Sequence, residues 1–184
     1  EIEAALGPVD AVAAVAGGSG RRHGDGPIHD LTADAWRATF EQNATPVYTT
    51  AHEAISRMRG RGGSLVIVSS VLAIAPSSPR FEPHAYTATE GAALPLTRAL
   101  AATYAADGLR VNAVLPGATA TPMAGRAADD PDIQRYLATK QPLAGGMIDP
   151  DAVAASIVFL LGPDAQAITG QCLVVDAGWS VSEA

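Results

Sequence analysis

Two hydroxyl side chains, Ser70 and Tyr86, have the types and the spacing that carbonyl chemistry requires. Ser70 stands at the carboxyl end of a short apolar run, and Tyr86 lies near the start of the helical segment that follows. Hydroxyls at these two places can converge on one substrate oxygen and donate hydrogen bonds to a carbonyl or an alkoxide. The same spacing also fits a serine in a turn and a tyrosine packed at a helix end, and spacing alone favours that structural explanation.

A carboxylate, Glu90, follows Tyr86 by four residues, which is about one turn of a helix. A negative charge at that distance disfavours a phenolate and would raise the pKa of the Tyr86 hydroxyl. A neutral Tyr86 could then act as an acid, with Glu90 as a base or a proton relay. General acid–base help of this kind contributes about a hundred- to ten-thousand-fold to a rate.

The composition limits the class of protein. Hydrophobic residues make up 48% and charged residues 17% of the 184 residues, which predicts one globular domain over residues 1–184. The net charge of −7 argues against nucleic acid as a partner. No apolar run approaches the roughly 20 residues of a membrane helix, and the single Cys172 suits a reducing compartment. We therefore expect a cytoplasmic protein that binds neither nucleic acid nor membranes.

Glycines at 17, 18 and 20 follow an apolar run but complete no catalytic motif. A dinucleotide fingerprint needs another glycine three residues after a G-x-G pair, with a helix opening there. A hydrolase elbow, G-x-S-x-G, fails because position 21 is arginine. The simpler explanation is a tight turn that lets another segment pack close to the backbone. The four histidines are scattered, so no metal site is predicted.

Apolar runs alternate with helical patterns along the chain. Strands are expected over residues 9–15, 64–68, 110–115 and 173–176, and helices over residues 32–59, 84–107, 132–138 and 150–161. This alternation predicts an α/β fold: a three-layer, Rossmann-like, doubly wound parallel sheet with helices on both faces. Ligands of such sheets bind at the carboxyl ends of the strands, where Gly17, Ser70, Pro116 and Gly117 stand.

The first long helix is expected to begin with Thr32 as its N-cap. Pro46 lies inside this helix, lacks a backbone donor and clashes with the carbonyl four residues back, so a kink is expected near Asn43. The residues expected on its apolar side are Trp36, Phe40, Val47 and Ile55.

Four strings in order resemble the short-chain dehydrogenase/reductase family: SLVIVSS at 64–70, AYTATEGA at 85–92, RVNAVLPGATATPM at 110–123 and ITGQCLVVDAGW at 168–179. The resemblance covers essentially the whole chain and begins at the family's fourth strand. The fold is therefore expected to lack the family's first βαβ units, with their glycine-rich phosphate loop. Residues upstream of Glu1 are expected, because the strand over residues 9–15 would otherwise be an exposed apolar edge.

The resemblance also implies a role for each matching residue. Ser70 would hold the substrate oxygen, Tyr86 would donate or accept the proton, and Asn43 would support a water in the proton relay. It further implies a substrate lid over residues 118–148 and a homodimer or homotetramer built through the two long helices. The residues that would contact a nicotinamide cofactor, if one is bound, are Gly17, Pro116, Gly117 and Thr121.

Three departures from the family pattern fall on the cofactor side. The family's Y-x-x-x-K has Glu90 in place of the lysine, which in the family bonds the nicotinamide ribose and lowers the pKa of the tyrosine. The family's N-N-A-G reads AVAG over residues 14–17, and the glycine-rich loop is absent from this sequence. The residues of the substrate and proton-relay side are kept.

This pattern of losses favours a protein that acts on a small carbonyl or hydroxyl compound by non-redox acid–base chemistry, such as dehydration, isomerisation, cyclisation or aldol-type reactions. No cofactor is then expected for residues 1–184 alone. The alternative is an oxidoreductase that uses NAD or NADP, with its cofactor-binding segment upstream of this sequence. A third hypothesis is a catalytically inactive dimer partner, which need not have kept the family's TPM stretch at 121–123.

Overall fold

The alternation of the sequence becomes one parallel sheet with helices on both faces. In a computed structural model, which describes residues 2–183, four strands pair in the order β1-β2-β3-β4. The strands are β1 (Ala11–Ala14), β2 (Gly63–Val68), β3 (Leu109–Pro116) and β4 (Cys172–Val175). The helices are α1 (Ile2–Leu6), α2 (Ala33–Met58), α3 (His84–Tyr104), α4 (Gly125–Asp129), α5 (Pro131–Lys140) and α6 (Pro150–Leu161). The predicted Rossmann-like α/β class is confirmed.

Alternate residues of the central strands face opposite layers. Leu65 and Ile67 of β2 pack in the cluster formed with α2 and α3, whereas Val66 packs with α6. All three side chains are fully buried. A parallel strand covered on both faces needs a continuous apolar run, which is the pattern of SLVIV in the sequence.

The α2 helix begins as predicted, but its buried face differs from the prediction. The Thr32 hydroxyl accepts the N–H of Ala35 at 3.1 Å. The placement of Trp36 on the apolar side was wrong, because its side chain is 37% exposed. Ile55 is buried as predicted, and small residues, including Ala35 and Ala51, face the core as well, so that α2 can lie close to the sheet and to α3. The helix continues through Pro46, and the kink near Asn43 stays a prediction.

Two segments differ from the predicted boundaries. The first strand is shorter than residues 9–15, because the chain leaves the sheet after Ala14 and bonds to α2 instead. Residues 118–148 were expected to be irregular with one short helix, but they contain α4 and α5. Asp130 caps α5, and Ile133 and Leu137 of that helix are buried beside Trp179. Through these contacts, the expected lid packs against the rest of the domain on the side that carries Ile133 and Leu137.

The β1 strand lies at the edge of the sheet, as predicted. Among the strands of residues 2–183 it pairs only with β2, and Val15 directly after it is 60% exposed. Within residues 2–183, no helix combines the length and the apolar character needed to cross a membrane.

Candidate active site

A cavity of about 630 Å³ opens at the carboxyl ends of the strands, a size typical of small-molecule sites. The loop after β1, the end of β2, the start of α3 and the turn after β3 form its walls. Because parallel strands end at one edge, side chains far apart in sequence meet there. All the site residues predicted from the sequence line this cavity: Asn43, Ser70, Tyr86, Glu90, Gly17, Pro116, Gly117 and Thr121. Their individual roles remain predictions.

The Ser70 and Tyr86 side chains both line the cavity wall, and the Ser70 hydroxyl is near enough to influence the Tyr86 phenol. Ser70 follows β2, and its Oγ accepts the N–H of Leu72 at 3.2 Å, which opens a short 3₁₀ turn. This contact uses the Ser70 oxygen as an acceptor and leaves its O–H free to donate. Both hydroxyls can therefore point at one oxygen of a bound molecule.

The electrostatic surroundings of Tyr86 disfavour its phenolate form. Burial and the neighbouring Glu90 carboxylate raise the pKa of Tyr86 well above its ordinary value, and the nearby Ser70 hydroxyl offsets part of this. Burial also raises the pKa of Glu90 to about 7, although the nearby Ser69 hydroxyl, which donates to the Glu90 backbone carbonyl at 2.9 Å, opposes this rise. Glu90 therefore changes charge across the neutral range, while Tyr86 stays protonated.

Asp25 holds the start of α3 in place, although no sequence pattern marks this residue. Its buried carboxylate accepts the N–H groups of Ala85 and Tyr86, each at 2.9 Å. Pro83 at the N-cap position makes no side-chain capping bond. Asp25, which lies in another loop, caps the helix instead. A carboxylate at a helix N-terminus is favoured by the free N–H groups and by the helix dipole. Asp25 is therefore a positioning residue for Tyr86.

We expect Asp25→Asn to destabilise the protein by about 1–2 kcal/mol, because a charged cap of two N–H groups becomes a neutral one. The kcat for the reaction at Tyr86 should fall several-fold with little change in KM. Urea unfolding and steady-state kinetics measure the two effects. Asp130→Asn is the matched control, because Asp130 caps α5 through the N–H groups of Asp132 and Ile133. An equal loss of kcat in both variants would contradict the positioning role.

The Asn43 side chain fixes the loop after β1. Its Oδ1 accepts the N–H of Gly18 at 2.7 Å, and its Nδ2 donates to the carbonyl of Thr39 at 2.9 Å. A Cβ at Gly17 would lie 2.9 Å from Asn43 Oδ1, so this loop can approach α2 only with glycine there. The close-packing explanation of these glycines is confirmed. The role of Asn43 in a proton relay stays a prediction.

Gln141 is a second residue that sequence reasoning missed. It is fully buried, and its Oε1 accepts the N–H of Ala118 at 2.7 Å while its Nε2 donates to the carbonyls of Ala118 and Gly146. A Cβ at Gly117 would meet the Gln141 side chain, so only glycine fits there. Gln141 thereby joins the turn after β3 to the end of residues 118–148.

The cavity fits the nicotinamide end of a cofactor better than its diphosphate. Val15, Val68 and Pro116 offer apolar surface for a flat ring, and the Glu90 carboxylate can accept hydrogen bonds from ribose hydroxyls. Among residues 2–183 no glycine-rich loop opens a helix at a strand end, because the glycines after β1 lead into the 3₁₀ turn Gly20–His23. The described residues also contain no group of three or more His, Cys, Asp or Glu side chains placed to hold a metal ion.

Comparison with known proteins gives consistent matches. A family model described as Enoyl-(Acyl carrier protein) reductase matches residues 1–180. The chain is 37% identical over 156 residues to cis-4-hydroxycyclohexanecarboxylate dehydrogenase of Sinomonas cyclohexanicum, covering 84% of this chain and 60% of that protein. It is 33% identical over 183 residues to a protein of Xanthobacter autotrophicus named inactive 2-(S)-hydroxypropyl-CoM dehydrogenase 2, covering 96% of this chain and 75% of that one.

The structural comparison agrees. The crystal structure of a gluconate 5-dehydrogenase from Burkholderia cenocepacia, in complex with NADP and tartrate, superposes with a TM-score of 0.87 at 26% identity. The match covers 98% of this chain and 68% of that one. The chain spans 60% and 53% of the length of the first two curated relatives.

Proposed function

The chain belongs to the short-chain dehydrogenase/reductase family. We therefore propose that it acts as an NAD- or NADP-dependent oxidoreductase that interconverts a secondary alcohol and a ketone. The observation that carries this proposal is the placement of the neighbouring Ser70 and Tyr86 side chains in the wall of one cavity. Relatives named as dehydrogenases, one of them bound to NADP, support this alternative better than the cofactor-free, non-redox chemistry that the sequence favoured.

The Ser70 and Tyr86 hydroxyls have different roles at the substrate oxygen. In the reduction, Ser70 donates a hydrogen bond to the ketone oxygen, and Tyr86 transfers its proton to that oxygen as the alcohol forms. Solvent then returns a proton to the Tyr86 phenolate. In the oxidation, the phenolate takes the proton of the alcohol. When bound, the nicotinamide cofactor would supply or accept the hydride.

Glu90 favours a second candidate, non-redox acid–base chemistry. A carboxyl group with a pKa of about 7 beside a protonated tyrosine is a matched base and acid at neutral pH. Such a pair could remove water from a β-hydroxy ketone without a cofactor. Glu90 also bears on the third hypothesis, an inactive partner, because it disfavours the phenolate that the oxidation needs.

The deciding experiment measures cofactor binding and turnover with the same protein sample. We expect calorimetry to detect binding of NADH or NADPH, and the same cofactor to be consumed with small ketones. No cofactor binding together with cofactor-free dehydration of 4-hydroxy-2-butanone would favour the second candidate. No binding and no turnover would favour the inactive partner.

Two further expectations stand as proposals. A homodimer or homotetramer through α2 and α3 would be tested by the particle mass in solution. The substrate lid over residues 118–148 is supported by its position, since Thr121, Met123 and Arg126 all line the cavity.

A further inference from the structure

Two arginine side chains reach the same cavity from separate segments. Arg21 lies in the 3₁₀ turn Gly20–His23 after β1, and Arg126 lies in α4. The Cζ of Arg126 is 6.0 Å from the centroid of the Phe81 ring, which also lines the cavity. Two guanidinium groups therefore border one space.

Neither group has a carboxylate partner of its own within residues 2–183. Asp25 attracts Arg21, but both of its oxygens already accept the N–H groups at the start of α3. Other arginines on the surface do form ion pairs with carboxylates. These are Arg37, Arg57, Arg59 and Arg135.

The two arginines also repel each other. Burial lowers the pKa of Arg21, the charge of Arg126 lowers it further, and Asp25 offsets part of the shift. Like charges that a neighbouring carboxylate compensates only in part raise the free energy of the empty site, and a bound anion would lower it. The chain as a whole has a net charge of −7, so this pair is a local exception to the prevailing charge.

The arginine pair lies on the Tyr86 side of the cavity. Tyr86 and Phe81 pack in one apolar cluster with Ala127, the residue after Arg126. Arg21 interacts with Asp25, which holds the backbone of Tyr86. Among the described residues lining the cavity, the other charged side chain is Glu90. An anion held by the arginines would thus be part of a molecule that reaches Ser70 and Tyr86.

We propose that Arg21 and Arg126 bind the carboxylate of the substrate, which makes the substrate a small hydroxy or keto acid. This inference rests on the proposed function, which places the alcohol or ketone of the same molecule at Ser70 and Tyr86. Guanidinium groups suit this task because their paired N–H donors match the two oxygens of a carboxylate.

The test compares acids with their uncharged amides. The probes are 4-oxopentanoate, 5-oxohexanoate and 6-oxoheptanoate, which vary the distance between ketone and carboxylate, and their three primary amides. The kcat/KM of each is measured with NADH and NADPH for the native protein, Arg21→Gln, Arg126→Gln and the double variant. Arg37→Gln is the control, because Arg37 pairs with Asp34 on the surface.

We expect the native protein and Arg37→Gln to prefer at least one acid over its amide by about 10- to 100-fold. Each cavity variant should lose most of this preference while its activity on the amide stays within a few-fold. Equal rates for acids and amides in the native protein, or a preference that survives in the double variant, would overturn the proposal. Weaker NAD(P)H binding with equal losses for acids and amides would also overturn it, because the arginines would then serve the cofactor.

If no probe is reduced, the proposed function fails but the anion site can still be tested. Calorimetry then measures binding of the acids and amides directly. Acid binding that disappears in the double variant supports the site, and indistinguishable binding of acids and amides overturns it.

Discussion

Tyr86→Phe is expected to lower kcat/KM for ketone reduction by about a hundred- to ten-thousand-fold, the range that a positioned general acid contributes. The substitution removes the proton donor and leaves the ring in its apolar cluster with Phe81 and Trp179. Substrate and cofactor binding, measured by calorimetry, should therefore change little. The loss should appear in kcat, because the proton transfer occurs only as the reaction proceeds.

Tyr48→Phe is the matched control for this prediction. It removes the same hydroxyl from a side chain that is 61% exposed on α2, so activity should stay within about twofold. Ser70→Ala should cost less than Tyr86→Phe, because it removes one hydrogen bond and no transferred proton. Unchanged turnover in Tyr86→Phe would remove Tyr86 from the mechanism, whichever reaction the protein performs.

The positions of Ser70 and Tyr86 could be predicted from the sequence because they depend on fold class. Once the apolar runs identify parallel strands, the ends of those strands must share one edge, and Ser70, Pro116 and Gly117 meet there. The resemblance to a known family then selected Tyr86 and Asn43. The structure adds that these residues border one cavity and that Ser70 lies near enough to Tyr86 to influence its hydroxyl.

Long-range side-chain partners could not be predicted in this way. Asp25 caps a helix that begins some 60 residues later, and Gln141 binds a turn 23 residues before it. No local pattern marks either residue. The placement of Trp36 on the buried side of α2 was wrong for a related reason, since hydrophobic size does not mark the alanines that allow close helix packing.

Glu90 is expected to give reduction an unusual pH dependence in the neutral range. Below its pKa of about 7, Glu90 is protonated and leaves Tyr86 a stronger acid. Above that pH the carboxylate forms, the pKa of Tyr86 rises, and the proton transfer slows. We therefore expect kcat/KM to fall by about three- to tenfold between about pH 6 and about pH 8. No histidine is among the described residues that line the cavity, so Glu90 is the group to which such a transition would be assigned.

Glu90→Lys should lower the pKa of Tyr86 and speed the proton transfer that the Glu90 carboxylate slows. A positive charge one turn from a phenol lowers its pKa by about 1–3 units, so kcat/KM at pH 7 should rise about tenfold or more. Reduction and oxidation should rise together, because the equilibrium constant of the reaction fixes their ratio. In the native protein, oxidation should increase with pH over the whole accessible range, since Tyr86 stays protonated. In Glu90→Lys it should level off above the lowered pKa of Tyr86.

Glu90→Gln shows the effect of losing the negative charge of Glu90 without gaining the positive charge of lysine. It removes the carboxylate, keeps a side chain of similar size, and cannot titrate. We expect its rate of reduction to be independent of pH across the neutral range and to match that of the native protein at acidic pH. A native-like fall in Glu90→Gln would show that another group causes the transition. A Glu90→Lys variant no faster than Glu90→Gln would mean that a positive charge at this position does not lower the barrier at Tyr86, and that the gain in both variants comes only from loss of the carboxylate.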